Sequence, residues 1–230
     1  MSRPRRGRRR DSGRARQKAI LIYGESPNDT RAIAELIQGL VPDLRVRIEA
    51  RREPLVLIRD APLAEVAGRA QRIAAAVASE RRRFEVVCVF AHEDCDDFEP
   101  RHEEVARRIE EGLIAAGCAA HAVVPAWEIE AWWFLWPEAV RAVVPSWRLP
   151  NDYVGRNVGL IRDPKEKLER AVLHGLPTAT RSRLRPYRES DSPVIAKFVR
   201  ERGEAHAPQG ASGSYDRFRA SLQTCAEAAA

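Results

Sequence analysis

Two short apolar runs end abruptly in acid: Ile20-Leu21-Ile22-Tyr23-Gly24-Glu25, and Val86-Val87-Cys88-Val89-Phe90-Ala91 followed by His92-Glu93-Asp94-Cys95-Asp96-Asp97. Such runs read as buried strands, and in an open parallel sheet the carboxyl ends of strands share one rim. A rim that gathers Glu25, Asp94 and Asp96 offers the hard oxygen ligands of magnesium or manganese, and with them phosphate chemistry. Positions 94 and 96 fall on one side of an extended segment, so these two aspartates are expected to grip one ion. Carboxylates packed this closely repel one another without a cation; a solvated acidic loop is the competing reading. The cluster lacks the central glycine and terminal glutamate of an EF-hand loop.

Asp29 follows Glu25 by one helical turn, where it either joins the rim or simply favours a helix N-terminus. Glu93 and Asp97 are additional candidates within the second cluster. A third piece is Trp127-Glu128-Ile129-Glu130-Ala131-Trp132-Trp133-Phe134-Leu135-Trp136. On a continuous helix Glu128 and Glu130 lie about 200° apart, so only one of them faces the rim. The aromatic residues read as core, with base stacking on an exposed tryptophan as the minority alternative.

The elements that must position these residues alternate. Strands are expected at Lys18 to Gly24, Leu44 to Ala50, Phe84 to Phe90 and Ala119 to Val124, with an uncertain one at Leu55 to Ile58. Helices are expected at Asn28 to Leu40, Leu63 to Arg81 and Glu103 to Ala116, the last stopped by Gly117. This alternation predicts an α/β fold, a mainly parallel Rossmann-like sheet flanked by helices. From Pro125 onward the pattern is helical: Trp127 to Val144 interrupted at Pro137, then helices opened by Asp163-Pro164 and Ser192-Pro193, and a last one from Ser214 to Ala226. Three parts result: an arm at 1–17, an α/β core at 18–125, and a helical appendage at 126–230 packed on that core.

The chain's net charge of +6 is unevenly spread. Residues 1–18 hold nine Lys/Arg against the single acid Asp11, a local +8 that leaves −2 for the other residues. The arm, with Arg5, Arg6, Arg8, Arg9 and Arg10, is expected to be disordered in isolation. It reads either as a phosphate-neutralising tail on nucleic acid or as a tail without a function. No apolar run is long enough to span a bilayer, and the run Ala19 to Tyr23 is too short for a signal peptide, so a cytoplasmic protein is expected. Cys88, Cys95, Cys118 and Cys225 show no metal-like spacing and are expected to be free thiols that ligate no metal, as in a reducing compartment.

The Gly24-Glu25 strand end, with Asp29 four residues after the glutamate and an Asp-x-Asp strand end later, resembles the TOPRIM fold of topoisomerases, bacterial primases and OLD-family nucleases. Glu130-Ala131-Trp132 resembles the Glu-x-Trp element of a family of bacterial TOPRIM-like proteins related to the RloB type, often encoded among phage-defence or mobile genes. Asp163-Pro164-Lys165, Ser192-Pro193-Val194-Ile195-Ala196 and Ser214-Tyr215-Asp216-Arg217-Phe218 are similar to that family's helical tail, so the likeness spans about 18–225. One departure stands out: no acid directly follows Phe90, so the Asp-x-Asp pair is either Asp94/Asp96 or a shifted pair that includes Glu93.

The resemblance implies a magnesium-dependent nuclease in which Glu25, Asp94 and Asp96 bind the ion, Glu130 completes its shell, and Lys165 (or, less readily, Lys167) meets the phosphate. It assigns Glu25 an alternative role as general acid/base, and it suggests an ATPase or other defence-system partner. A Walker-type loop is absent. Two rivals remain: a non-catalytic nucleic-acid or partner-binding module, and a phosphohydrolase of small molecules.

Overall fold

The computed structural model describes residues 16–229, so the arginines at positions 5, 6, 8, 9 and 10 lie outside the described residues. Strands β1 (Lys18–Tyr23), β2 (Arg47–Arg51), β3 (Glu85–His92) and β4 (His121–Val123) form one all-parallel sheet in the order β2-β1-β3-β4. Helices α1 (Pro27–Leu40), α2 (Leu63–Glu80) and α3 (Arg101–Ala115) alternate with them, so the fold is α/β. β1 reads as unbroken apolar sequence because both of its faces are covered. Ile20 and Ile22 point into a core shared with α1 and the C-terminal helices, while Leu21 and Tyr23 point into one shared with α2 and α3.

Local chemistry sets the entry to α1. Ser26 caps the helix by accepting a 3.1 Å bond from the Asn28 N–H, and Pro27 opens it with a ready-made φ. The stripe Ile33, Leu36, Ile37 and Leu40 is buried, as its spacing predicts. At Leu55 to Ile58 the uncertain strand is a loop. Leu57 has φ 45°, and the N–H groups of Ile58 and Arg59 go to the Glu93 carboxylate instead of to a neighbouring strand.

The C-terminal half contributes α4 (Glu130–Trp133), α5 (Pro137–Val143), α6 (Pro164–Ala171), α7 (Thr178–Arg181), α8 (Ser192–Glu201) and α9 (Gly213–Ala229). It packs on the α1 face of the sheet and shares one continuous core with it. The helix expected over Trp127 to Val144 is broken at Pro137, which opens a second short helix, and it starts only at Glu130 because Trp127 sits at φ 58°. Trp132, Trp133, Trp136 and Trp147 are fully buried, which settles them as core.

Glu99 ties the loop before α3 to the start of α9: it accepts from the Ser212 hydroxyl at 3.1 Å and from the Ser214 N–H at 2.9 Å. Gly159 lies so close that a Cβ there would come within 2.0 Å of the Glu99 carboxyl carbon. The expectation of free thiols holds for Cys95 and Cys118 but not for Cys88 and Cys225, which are disulfide-bonded between β3 and α9. Their separation of 137 residues hid the pairing from spacing. Among the described residues no helix is long and apolar enough to cross a membrane.

Candidate functional site

The strand order places a topological switch between β1 and β3: after β1 the chain moves outward to β2, and after β3 it moves outward on the opposite side to β4. A crevice opens at the carboxyl ends of such strands. Tyr23 pairs with Ala91, so the two strand ends are nearly level, and Glu25 and Asp94 each follow their strand by two residues. Gly24 lets the two ends close up. A Cβ there would meet Thr30 Cγ2 at 2.8 Å and the His92 ring Nδ1 at 3.2 Å.

Around this crevice the structure gathers Glu25 from the β1 end, Asp29 from the first turn of α1, and Asp94 from the β3 end. Glu128 and Glu130 join them from the stretch that opens α4. Both glutamates feel the charge of Asp94. The expectation that only one could do so presumed a continuous helix, but α4 begins at Glu130 and leaves Glu128 on the preceding turn. Lys165, the first lysine of α6, stands beside Glu128 and Glu130 and pairs with Glu189.

Asp96 does not belong to the rim. Its φ of 53° ends the extended geometry that would have aligned it with Asp94, and Arg59 takes its carboxylate at 2.7 Å with the side chain 56% exposed. Asp97 accepts from the Phe98 N–H at 2.8 Å. Together with Arg59, Asp60, Arg101 and Arg108, these two aspartates line a separate cleft. Glu93 holds the backbone in place. Its two oxygens accept from the Ile58 and Arg59 N–H groups at 2.7 and 3.0 Å, clamping the 54–60 loop.

The electrostatics are those of a site short of positive charge. Burial, then the charges of Glu93 and Asp94, push Glu25 up to about 7. Burial likewise raises Asp29 to about 6, with Asp94 and Glu189 adding to it and His92 opposing. Burial and Asp94 raise Glu128 to about 7 and Glu130 to about 8. Burial would lower His92, yet Asp94, Asp29 and Glu25 together lift it to about 9.

His92 is fully buried, and neither ring nitrogen has a hydrogen-bond partner among the described residues; Nε2 stands 3.4 Å from Asp94 Oδ1. Glu130 is better held. The Trp133 indole donates to Ser192 Oγ (2.8 Å), Ser192 meets the Tyr187 hydroxyl (2.6 Å), and Tyr187 donates to Glu130 Oε1 (2.8 Å).

Sequence spacing passes over His92, Tyr187, Ser192 and Glu189. The histidine carries a signal, since it directly ends a buried strand beside acids. The other three come from a loop and helix start whose polar residues look like any turn.

Stability depends on pH through these groups. Between the ordinary carboxylate range and about pH 8 the folded chain keeps protons on Glu25, Asp29, Glu128 and Glu130 that the unfolded chain has released, so stability falls as pH rises. His92 acts in the same direction: its contribution is complete below its ordinary value and is lost as pH passes about 9. In chelator, the melting temperature is expected to drop from about pH 5 to about pH 8, less steeply in Glu130→Gln. Millimolar magnesium is expected to recover part of the drop at the upper end only. Equal slopes in wild type and Glu130→Gln contradict a protonated rim.

The chain matches no family model, no curated protein and no solved structure.

Proposed function

We propose that this chain is a metal-dependent phosphodiester hydrolase of TOPRIM-like kind, acting on nucleic acid. The observation that carries the reading is the meeting of Glu25, Asp29, Asp94, Glu128 and Glu130 at the switch between β1 and β3, where burial and mutual repulsion hold four of them above the ordinary carboxylate range. Carboxylates held under such repulsion mark a place that gains from a cation. The donor set suits magnesium or manganese, being oxygen-rich, and it leaves Glu128 Oε2 buried without a hydrogen-bond partner among the described residues. No three rim oxygens among the described residues fall within 4.8 Å of one another. Magnesium nonetheless commonly takes only one or two protein carboxylates and completes its shell with water and substrate phosphate.

Glu25 and Asp94 would hold the ion, with Glu130 and Asp29 as further oxygen donors. Bound there, magnesium lowers the pKa of an attacking water and offsets charge on the phosphate. The other steps belong to the chain's own groups. Lys165 brings positive charge to the rim and would orient the scissile phosphate. Glu130 has its Oε1 fixed by Tyr187 and would give up its proton as the ion binds, leaving its other oxygen free to reach the ion. Tyr187 is buried and its pKa raised well above the ordinary value, which disfavours a covalent tyrosyl route and favours hydrolysis.

The arginine-rich arm would add salt-sensitive affinity for a nucleic-acid backbone. An ATPase or other defence-system partner extends the proposal through the family resemblance alone, and a cytoplasmic setting rests on the short apolar run Ala19 to Tyr23.

The test is incubation of single- and double-stranded DNA and RNA with magnesium or manganese, with and without chelator. Cutting of at least one polymer that stops in chelator is expected. Cutting that persists in chelator, or phosphate release from mononucleotides with every polymer intact, overturns the reading.

A further inference from the structure

A second cluster of ligand atoms lies away from the rim. Cys88 sits in the first half of β3, His121 is the first residue of β4, and Cys225 is near the end of α9. Cys88 is four residues back along β3 from His92, about 13 Å at the usual strand rise. Among the described residues this is the one group of three that brings its ligand atoms, two sulfurs and an imidazole nitrogen, within 4.8 Å of one another.

The three residues line a cavity of about 550 Å³, along with Glu110 and Arg217. Those two are committed to each other at 2.6 Å, and Glu110 also accepts from the Ala122 N–H at 3.0 Å. The two sulfurs are bonded in this structure. A disulfide is complete with two cysteines, however, and does not account for the converging histidine.

We propose that the reduced pair Cys88/Cys225, with His121, forms a zinc site of the Cys2His kind whose fourth position opens to the cavity. Thiolate and imidazole donors select zinc over magnesium, and three protein ligands with an open fourth position is a stable zinc arrangement. The cycle balances. A dithiol reductant gives two electrons and two protons; the Cys88–Cys225 sulfur–sulfur bond breaks, two thiols form, and the reductant leaves as its own disulfide. Zinc then displaces both thiol protons to solvent and forms two zinc–sulfur bonds and one zinc–nitrogen bond. A small-molecule disulfide reverses the cycle: its sulfur–sulfur bond breaks as it takes two electrons from the thiolates and two protons from solvent, it leaves as two thiols, the Cys88–Cys225 bond reforms and the ion is expelled. In a tetrahedral site the sulfurs stand about 3.8 Å apart. Cα atoms 5.7 Å apart allow that by side-chain rotation. Either state fastens α9 to the sheet, one by a covalent bond and the other by the ion.

The test is a cobalt titration of full-length protein, reduced with a phosphine and kept anaerobic. Tetrahedral d–d bands and a near-ultraviolet thiolate-to-cobalt charge-transfer band are expected, saturating at one ion per chain and lost on adding zinc. The band should be absent in the oxidised protein and in Cys225→Ser, at least tenfold weaker in affinity in His121→Ala, and unchanged in Cys118→Ser and Glu25→Gln. Zinc should also slow alkylation of Cys88 and Cys225 in the wild type, a readout that survives if Cys225→Ser fails to fold. A reduced, folded protein with no charge-transfer band overturns the proposal. So does a band that persists in Cys225→Ser, or equal cobalt affinity in His121→Ala. Oxygen ligands give no thiolate band, so a rim that binds cobalt does not mimic the result.

Discussion

Replacing Glu25 with Gln, or Asp94 with Asn, is expected to lower kcat for metal-dependent cleavage by about a thousandfold, equivalent to about 4 kcal/mol of barrier. Each substitution keeps shape and removes one of the charges that would hold the ion. Loss of fold is not the expected cause: an ionised Glu25 is already disfavoured by its neighbours, and a neutral amide there relieves the repulsion from Glu93 and Asp94. Asp96→Asn is expected to stay within about threefold of wild type, because Asp96 is exposed and paired with Arg59 outside the rim. The contrast separates the proposed Glu25/Asp94 centre from the Asp-x-Asp pair that the sequence suggests. Steady-state kinetics on the three variants at saturating magnesium decides it, and an Asp96→Asn loss as large as that of Asp94→Asn would sink the assignment.

Trp132→Ala is expected to destabilise the fold by about 3–5 kcal/mol, the range for emptying a fully buried large aromatic site. The indole is 0% exposed, stacks on Phe218 at 5.6 Å, meets Tyr215 edge-on at 5.2 Å, and donates to Ser214 Oγ at 3.0 Å. It joins the sheet face to α9, so its loss reaches both halves of the chain. Trp132→Phe keeps most of the volume and loses the bond, for about 1–2 kcal/mol. Urea unfolding of the two variants under one redox condition measures both values. A Trp132→Ala effect below about 1 kcal/mol contradicts a single core shared by sheet and appendage.

The sheet was legible because β1 and β3 are covered on both faces, which leaves unbroken apolar runs, and because α1 keeps a clean stripe from Ile33 to Leu40. Glu25 and Asp94 were legible as acids within a few residues of the ends of such runs. What the pattern missed depends on single backbone angles and distant partners. The φ values at Asp96 and Trp127 turned Asp96 out of the rim and allowed Glu128 and Glu130 to act together. Glu93 looked like a ligand, but its oxygens serve two N–H groups of a loop 34 and 35 residues earlier. Tyr187 and Ser192 reach Glu130 only through tertiary packing, and periodicity carries no trace of such contacts.

The central claim is that the carboxylates at the β1/β3 switch form a divalent-cation centre. Manganese titration followed by electron paramagnetic resonance tests it directly, because the signal of the free aqueous ion fades on binding. At about pH 8 the wild type is predicted to take up manganese and to release protons from its raised carboxylates. Glu25→Gln and Asp94→Asn should each weaken uptake by at least tenfold, and Asp96→Asn and Cys225→Ser should leave it unchanged. Uptake of equal strength in wild type, Glu25→Gln and Asp94→Asn, or none in the wild type with nucleic acid present, would contradict the claim.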